Sequence, residues 1–419
     1  MVSVPGSKSI SNRALVCAGL ASGESMIRGL ASGDDTHKML EGLRSMGARV
    51  TPESVSDIED SVRVERGIRR DEATSVVINA GLAGTTSRFL TAVAALRLGP
   101  TTITGGQGLL TRPMGELHRA LGELGADLYT DEPGHLPVTV RGVVIDRQSR
   151  SATQQIIMRG EVSSQFVSAV MLIAPVIGGL RIVLEGPLVS SDYLNMTARV
   201  MRAFGADVSL ENGRVVIGAA SYVGATFDVA ADWSSASYPF AAAAIVGGRV
   251  SVPRLVADGS QPEERFAEVL RATGCVVESN VSGVTVSRES SSPLKGIEID
   301  MSECSDLVPT FAAIAANASG PSRVTGVGFI RAKESDRLGD LAVELAKCGV
   351  RADVEIDGIR IEPGPLRAAV IEPHDDHRLA MSLALLGLRC DGVQVQNPDV
   401  VAKSWPTYWA SMRSGLSLT

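Results

Sequence analysis

The sequence predicts an α/β (α+β) fold assembled from six copies of one unit, on three observations. Six nearly uncharged apolar runs of helix length, each introduced by polar or charged residues and followed by glycine, recur with anchor positions 9, 86, 164, 235, 306 and 376, spaced by 70 to 78 residues. A second series of amphipathic segments, each stopping at a glycine and running into an apolar stretch, is interleaved with the first. Short β-branched stretches such as Val76 to Ile78, Arg181 to Leu184 and Val215 to Ile217 read as strands.

The heads of the apolar runs are, in order, Lys8/Ser9/Arg13, Thr85/Thr86/Arg88, Ser163/Ser164/Gln165, Ser234/Ser235/Ser237, Asp306/Thr310 and Asp375/Asp376/His377/Arg378. A helix such as Phe166 to Gly178 or Tyr238 to Gly247 is apolar all round and is expected to be buried. Its first turn still presents unpaired N–H groups and the positive end of the helix dipole, a site for phosphate or carboxylate. Ser, Thr and Asp at these heads also read simply as N-caps, which accounts for Ser235 but not for Lys8, Arg13 and Arg378.

The amphipathic series comprises Met39 to Val50, Ala120 to Leu128, Val200 to Val208, Val269 to Val277 and Leu341 to Val350, each read as helix, C-cap glycine, strand. Tyr408 to Gly415 resembles a degenerate sixth copy. A chain of 419 residues exceeds one core, and six units divide as three plus three, with a midpoint near Ala219 to Asp232.

A chain that is 44% hydrophobic, 4% aromatic and of net charge −7 is unlike a nucleic-acid binder, which needs basic patches and stacking rings. Five scattered cysteines without a C-x-x-C pair point to neither disulfides nor zinc. The longest uncharged stretch, Val162 to Leu180, contains Ser, Gln, Pro and glycines and reads as a core helix rather than a membrane span. No signal peptide is expected ahead of Pro5, and the expected location is cytoplasmic.

Basic residues stand at turns and helix starts, beside Gly, Pro and Ser: Lys8 and Arg13 in PGSKSISNR, Arg112 in LLTRP, Lys333 and Arg337 in AKESDR, Arg378 in HDDHR and Lys403 in VAKSWP. Arginine forks in such places match planar or tetrahedral oxyanions. Set beside one another, Pro5-Gly6-Ser7-Lys8-Ser9-Ile10-Ser11-Asn12-Arg13, Leu82-Ala83-Gly84-Thr85, Ser163-Ser164-Gln165-Phe166, Lys333-Glu334-Ser335-Asp336-Arg337-Leu338, Asp376-His377-Arg378 and Lys403 resemble, in order and over essentially the whole chain, the 5-enolpyruvylshikimate-3-phosphate synthase family.

That resemblance implies two domains, each a threefold repeat of a βαβαββ unit, with the active site in the interdomain cleft. It places residues 8–227 in a first, shikimate-phosphate domain, and residues 1–7 with 228–419 in a second carrying the catalytic Asp, Lys and Glu. The implied reaction moves the enolpyruvyl group of phosphoenolpyruvate to the 5-hydroxyl of shikimate 3-phosphate with release of phosphate, in chorismate biosynthesis, with no metal, no other cofactor, no nucleic acid or membrane partner, and a monomeric enzyme. By the same resemblance glyphosate occupies the phosphoenolpyruvate site.

Carried over by position, Lys8, Ser9, Arg13, Ser163, Ser164, Gln165 and Ser190 resemble shikimate-phosphate ligands, joined by Asp306 and Lys333. Lys8, Gly84, Arg112, Gln165, Arg337, Arg378 and Lys403 resemble the phosphoenolpyruvate clamp. Asp306 or Lys333 is expected to engage the hydroxyl, and Glu334 to supply the proton to the methylene carbon, with Lys8 also counted catalytic. A carboxylate flanked by lysine and arginine is normally held ionised, so an acid at Glu334 needs burial or the substrate's negative charge.

The chain departs from the family pattern at Leu82, where many members carry asparagine, and at Phe329, where some do; the four residues ahead of Pro5 fit either an abbreviated opening strand or a start that lies upstream. His374-Asp375-Asp376-His377 offers a metal alternative, rejected because His377-Arg378 fits the family and no third soft ligand stands at a telling distance. The alternative reaction is the sister enolpyruvyl transfer to UDP-N-acetylglucosamine, whose loop cysteine has no counterpart in Gly105 to Arg112. A noncatalytic anion-binding or RNA-end-processing protein has little need of Asp306, Lys333 and Glu334 together.

Overall fold

The computed structural model describes residues 1–55, 58–142, 154–160, 163–186, 192–211 and 213–416, which form two compact units. One is Gly6–Val229; the other joins Met1–Pro5 to Ala230–Thr419. The first holds α1 (Lys8–Leu20), α2 (Asp34–Ser45), α3 (Gly84–Ala94), the single turn α4 (Gln107–Leu110), α5 (Gly115–Glu123), α6 (Ser164–Ile173) and α7 (Asp192–Ala203). The second holds α8 (Trp233–Val246), α9 (Phe266–Ala272), α10 (Val308–Ala315), α11 (Gly339–Lys347), α12 (His377–Leu383) and α13 (Tyr408–Gly415).

Three sheets of the first unit share one plan. Val76–Asn79 runs parallel to Thr101–Thr104, which pairs antiparallel with Val138–Arg141 and through it with Asp127–Tyr129. Gln154–Arg159, Leu180–Glu185, Arg214–Ile217 and Val208–Glu211 repeat the order. Together with their helices each copy reads βαβαββ. In the remaining sheet, Ser25–Arg28 receives its parallel neighbour from Thr226–Asp228 at the far end of the unit, so this copy is closed by the returning chain.

In the second unit Glu298–Asp300, Ser322–Thr325, Gly358–Glu362 and Arg351–Glu355 form a full copy. Gly248–Pro253, Gly283–Arg288 and Val276–Asn280 form a three-stranded one, beside which the Val2 N–H donates to the Ser251 carbonyl at 3.0 Å. The sixth copy is reduced to the parallel pair Val370–Ile371 and Gln394–Val395 with α12 and α13, matching the degenerate character of Tyr408 to Gly415.

The amphipathic helices end as the sequence predicts, and with one geometry. Gly47, Gly125, Gly205, Gly274 and Gly349 have φ between 84° and 103°, a left-handed conformation that side chains resist. The following residue donates back to close the helix, Ala48 to Leu43, Ala126 to Leu121, Ala206 to Met201, Cys275 to Leu270 and Val350 to Leu345, at 3.0 to 3.1 Å. The chain leaves each time directly into a strand.

The apolar helices differ from expectation at both ends. Of the six, α8 is stopped directly by its glycine, Gly247; the others tighten into short turns first, as where Ala95 donates to Ala92 and Ala174 to Met171. Ser235 is not the cap of α8. Asp232 caps it and Ser235 donates both its amide (2.8 Å) and its hydroxyl (2.9 Å) to that carboxylate, which takes two donors where a hydroxyl cap takes one.

Each unit has its own apolar core, and the uncharged helices are buried in it. Where α8, α10 and α12 meet, the buried hydroxyls of Ser237, Thr310 and Ser382 are linked in a row, at 3.2 and 3.1 Å, so Thr310 serves the core and not the head of its helix. No helix among the described residues is long and apolar enough to cross a membrane.

Candidate active site

In the first unit the heads of α1, α3 and α6 are tied together by polar contacts. Lys8, the first residue of α1, pairs through Nζ with Asp35 Oδ2 of α2 at 3.0 Å. The Asp35 carbonyl accepts from Thr86 Oγ1 at 2.8 Å, and Thr86 in turn accepts from Asn12 Nδ2 at 3.4 Å. Gly84 opens α3, and a methyl group on it would lie 3.0 Å from Arg112 Nη1 and 3.5 Å from Arg88 Nη1. Arg88 reaches α6, donating to Gln165 Oε1 and stacking its guanidinium 4.9 Å from the Phe166 ring centre. Ser163 caps α6, accepting from the Gln165 amide at 3.3 Å, and Ser164 is buried behind it.

Arg13, also on α1, reaches the bodies of α3, α6 and α7. Its Nε donates to Thr197 Oγ1 (2.7 Å), Nη2 to Ser168 Oγ (3.3 Å) and Nη1 to the Ser9 carbonyl (2.9 Å), while the guanidinium lies 5.2 Å from the Phe89 ring centre. It is a core cation that fixes the turn carrying Ser9. Ser190 lies outside the described residues.

In the second unit three carboxylates are interleaved with four cations. Arg337 is the hub, 1% exposed: Nη1 donates to Asp306 Oδ1 (2.7 Å), Nη2 to Glu334 Oε2 (2.6 Å) and Nε to Asp376 Oδ2 (2.6 Å). Around it, Arg378 Nη2 meets Asp306 Oδ2 at 3.0 Å, Lys333 Nζ lies 3.7 Å from Asp306 Oδ1, and Lys403 Nζ lies 3.4 Å from Glu334 Oε1. Burial works against an ionised Asp306, but Arg378, Lys333 and Arg337 overturn that and hold its carboxyl far below the usual range. Burial likewise opposes the charge on Arg337, and Asp376, Glu334 and Asp306 more than restore it.

Local structure explains the convergence. Asp306 sits in a 3-10 turn, Ser302–Leu307, just ahead of α10, so its carboxylate projects beyond the helix and is not a cap. Lys333 and Glu334 follow the 3-10 turn Gly328–Ala332, and Arg337 precedes α11. Asp376 caps α12, accepting from the Arg378 amide at 2.8 Å, which also fixes Arg378. Lys403 closes the 3-10 turn Pro398–Lys403.

The structure thus brings Lys8, Gly84, Arg112, Ser163, Ser164 and Gln165 to the helix heads of one unit, and Asp306, Lys333, Glu334, Arg337, Arg378 and Lys403 into one network of the other. Sequence reasoning named Arg88 only as a head residue and Asp376 only as a head residue and cap, and left Asp35 without a role. Arg88 stands four residues after Gly84, one helical turn on, and Asp376 precedes a run of helix formers; both signals were present in the spacing. Nothing local connects Asp35 to Lys8. At the departures, Leu82 and Phe329 remain about a third exposed, and Lys333 Nζ lies 5.7 Å from the Phe329 ring centre, in place of an amide contact.

The histidines of the HDDH segment face different partners. His374 Nε2 lies 2.9 Å from Glu344 Oε1, and His377 Nδ1 lies 3.6 Å from Asp376 Oδ1.

The family described as EPSP synthase (3-phosphoshikimate 1-carboxyvinyltransferase) matches residues 1–412. The chain is 38% identical to the 3-phosphoshikimate 1-carboxyvinyltransferase of Methanosphaerula palustris over 417 residues, 98% of this chain and 95% of that one. It is 39% identical to the same enzyme of Methanoculleus marisnigri, over 97% of this chain and 94% of the relative. Among solved structures, EPSP synthase from Acinetobacter baumannii matches with a TM-score of 0.80 and 27% identity, covering 99% of this chain and 94% of that one. The enolpyruvyl transferase NikO from Streptomyces tendae shares the fold, with a TM-score of 0.75 at 19% identity over 99% of this chain and 94% of the other. With residues 1–412 matched by the family and 98% of the chain aligned to a relative at 38% identity, the chain belongs to the EPSP synthase family.

Proposed function

We propose that the protein transfers the enolpyruvyl group of phosphoenolpyruvate to the 5-hydroxyl of shikimate 3-phosphate, by addition and elimination through a tetrahedral intermediate, the activity for which its relatives are named. The observation that carries the reading is the Asp306–Arg337–Glu334 network with Lys333, Arg378 and Lys403 around it: cations set in advance where two polyanions and a developing charge need them.

In this reading Ser9, Ser163, Ser164 and Gln165 hold shikimate 3-phosphate together with Ser190, and Arg13 adds positive charge beneath Ser9. Lys8, Gly84, Arg112, Arg378 and Lys403 hold phosphoenolpyruvate, with Arg337 keeping the carboxylates and the clamp in register. Asp306, so firmly ionised, is a weak proton acceptor and serves as the hydrogen-bond acceptor that orients the 5-hydroxyl; Lys333 stands beside it. Glu334, held by Lys403 and Arg337, is protonated once the bound polyanions offset those cations. It delivers its proton to the methylene carbon and takes one back from the resulting methyl group as phosphate departs carrying the 5-hydroxyl proton.

Phosphate release from phosphoenolpyruvate, measured with shikimate 3-phosphate, with UDP-N-acetylglucosamine and with neither, tests the reading. Release is expected with shikimate 3-phosphate alone. Release with the sugar nucleotide and none with shikimate 3-phosphate overturns it.

A further inference from the structure

The segment Pro373-His374-Asp375-Asp376 is a tight turn, closed by the Asp376 amide donating to the Pro373 carbonyl at 2.8 Å, and both central residues are left-handed, with φ of 51° and 55°. Turns of this kind are normally built from Asn and Gly, because a side chain at positive φ crowds the following carbonyl. Here the central pair is His-Asp. Such a conformation persists only where the surroundings over-determine it.

What holds it is a carboxylate on another element. Glu344 of α11 is fully buried and receives donors on both oxygens. Oε1 takes His374 Nε2 at 2.9 Å, Oε2 takes the Glu372 amide at 3.0 Å, and Lys347 Nζ reaches both at 2.8 Å. Burial opposes the charge on Glu344, and Lys347, His374 and the Glu372 amide overcome it, so the carboxyl is held below its usual range. The other ring nitrogen of His374 faces Asp340 Oδ1 at 3.8 Å. The turn is therefore pinned to α11 from both sides of the proline.

Immediately after the turn comes Asp376, whose carboxylate serves the helix cap and Arg337 at once, with Oδ1 also taking Arg337 Nη2 at 3.4 Å. Oδ1 caps α12 through the Arg378 amide, and Oδ2 receives Arg337 Nε at 2.6 Å and Ser335 Oγ at 3.3 Å. A turn that relaxed to ordinary φ values would carry Asp376 away from both.

We propose that His374 is a positioning residue for this enzyme: by donating Nε2–H to Glu344 it locks the left-handed turn that places Asp376 under Arg337 and at the head of Arg378. The inference rests on the reading that Arg378 binds phosphoenolpyruvate and Arg337 keeps the clamp in register. His374 touches neither substrate in that reading, and its effect is transmitted through the backbone of residues 374–376.

The test compares wild type, His374→Ala and His374→Gln in the full chain. Glutamine keeps a donor at the distance of Nε2; alanine does not. Misplacing the clamp by a fraction of an ångström is expected to lower kcat/KM for phosphoenolpyruvate roughly 10- to 100-fold in His374→Ala. The KM for shikimate 3-phosphate should stay within about twofold, and His374→Gln should recover most of the loss, because the interaction removed is local. Amide exchange of residues 372–380, read by mass spectrometry, reports the turn whether or not the protein turns over shikimate 3-phosphate, and should quicken in His374→Ala and not in His374→Gln. Equal kinetics and equal exchange in all three proteins overturn the inference. So does a loss shared equally by both substrates and not recovered by glutamine. A wild type that releases no phosphate with shikimate 3-phosphate overturns the functional reading instead, leaving the exchange result to decide the turn.

Discussion

Arg337 Nε donates to Asp376 Oδ2 at 2.6 Å, with the arginine side chain 1% exposed and the aspartate 0%. Two charges at this depth are stable only as a pair, since each without the other is a desolvated ion. Asp376→Asn keeps an acceptor for the Arg378 amide but removes the charge. It is expected to destabilise the protein by about 3 kcal/mol, the low end for breaking a buried pair, because Asp306 and Glu334 still face Arg337. Urea unfolding followed by circular dichroism measures it, and an unchanged midpoint refutes it.

Neutralising one clamp residue is expected to cost turnover beyond any loss of stability, since Asp35 and Asp306 each lose one cationic partner. Lys8→Met and Arg378→Ala should each lose about 2.7 to 4 kcal/mol of transition-state stabilisation, roughly a hundred- to thousandfold in kcat, the scale for one preorganised donor. Near wild-type rates in both variants remove these residues from the site.

Gly84 has no side chain where the guanidinium ends of Arg112 and Arg88 converge, and its backbone is in an ordinary helical start, so Gly84→Ala should fold. The added methyl, 3.0 Å from Arg112 Nη1, forces that group aside. A higher KM for phosphoenolpyruvate and weaker inhibition by glyphosate are expected, with little change in the KM for shikimate 3-phosphate. Unaltered inhibition with activity preserved marks Gly84 as a helix-start glycine alone.

In the proposed function the cations Lys8, Arg112, Arg378 and Lys403 do for phosphoenolpyruvate what magnesium commonly does beside phosphates. Extensive EDTA treatment should leave activity intact. Loss on chelation, with recovery on adding a divalent ion, reopens the metal alternative at His374 and His377.

His118 on α5 is pushed down to about 4 from 6.5, first by burial and then by the charge of His135. Between those values the unfolded chain holds a proton that the folded one does not, so this contribution to stability is full above about pH 6.5 and declines as pH falls toward 4. Unfolding free energies at pH 5 and pH 7.5 should differ less in His118→Leu than in wild type. An identical difference in the two proteins counts against the assignment.

Periodicity alone determined the repeat. Six apolar helices, five glycine-closed amphipathic ones and a degenerate sixth were legible because burial and the left-handed C-cap each leave a local mark in composition. The heads at Lys8, Thr85, Ser163 and Arg378 were legible for the same reason: polar residues at the mouth of an uncharged run have no packing explanation. What only tertiary structure decided is pairing at long range. Lys8 meets Asp35, Arg337 meets Asp376, and Glu344 meets His374 across 27, 39 and 30 residues, and no local rule selects one carboxylate over another at those separations. The same holds for caps and cores. Asp232 took the place assigned to Ser235 because a carboxylate answers two donors at once, and Thr310 went to the hydroxyl row because three helices happen to cross there. Sequence specifies which groups are placed at each helix head; the fold determines which of them are spent on one another and which are left facing a ligand.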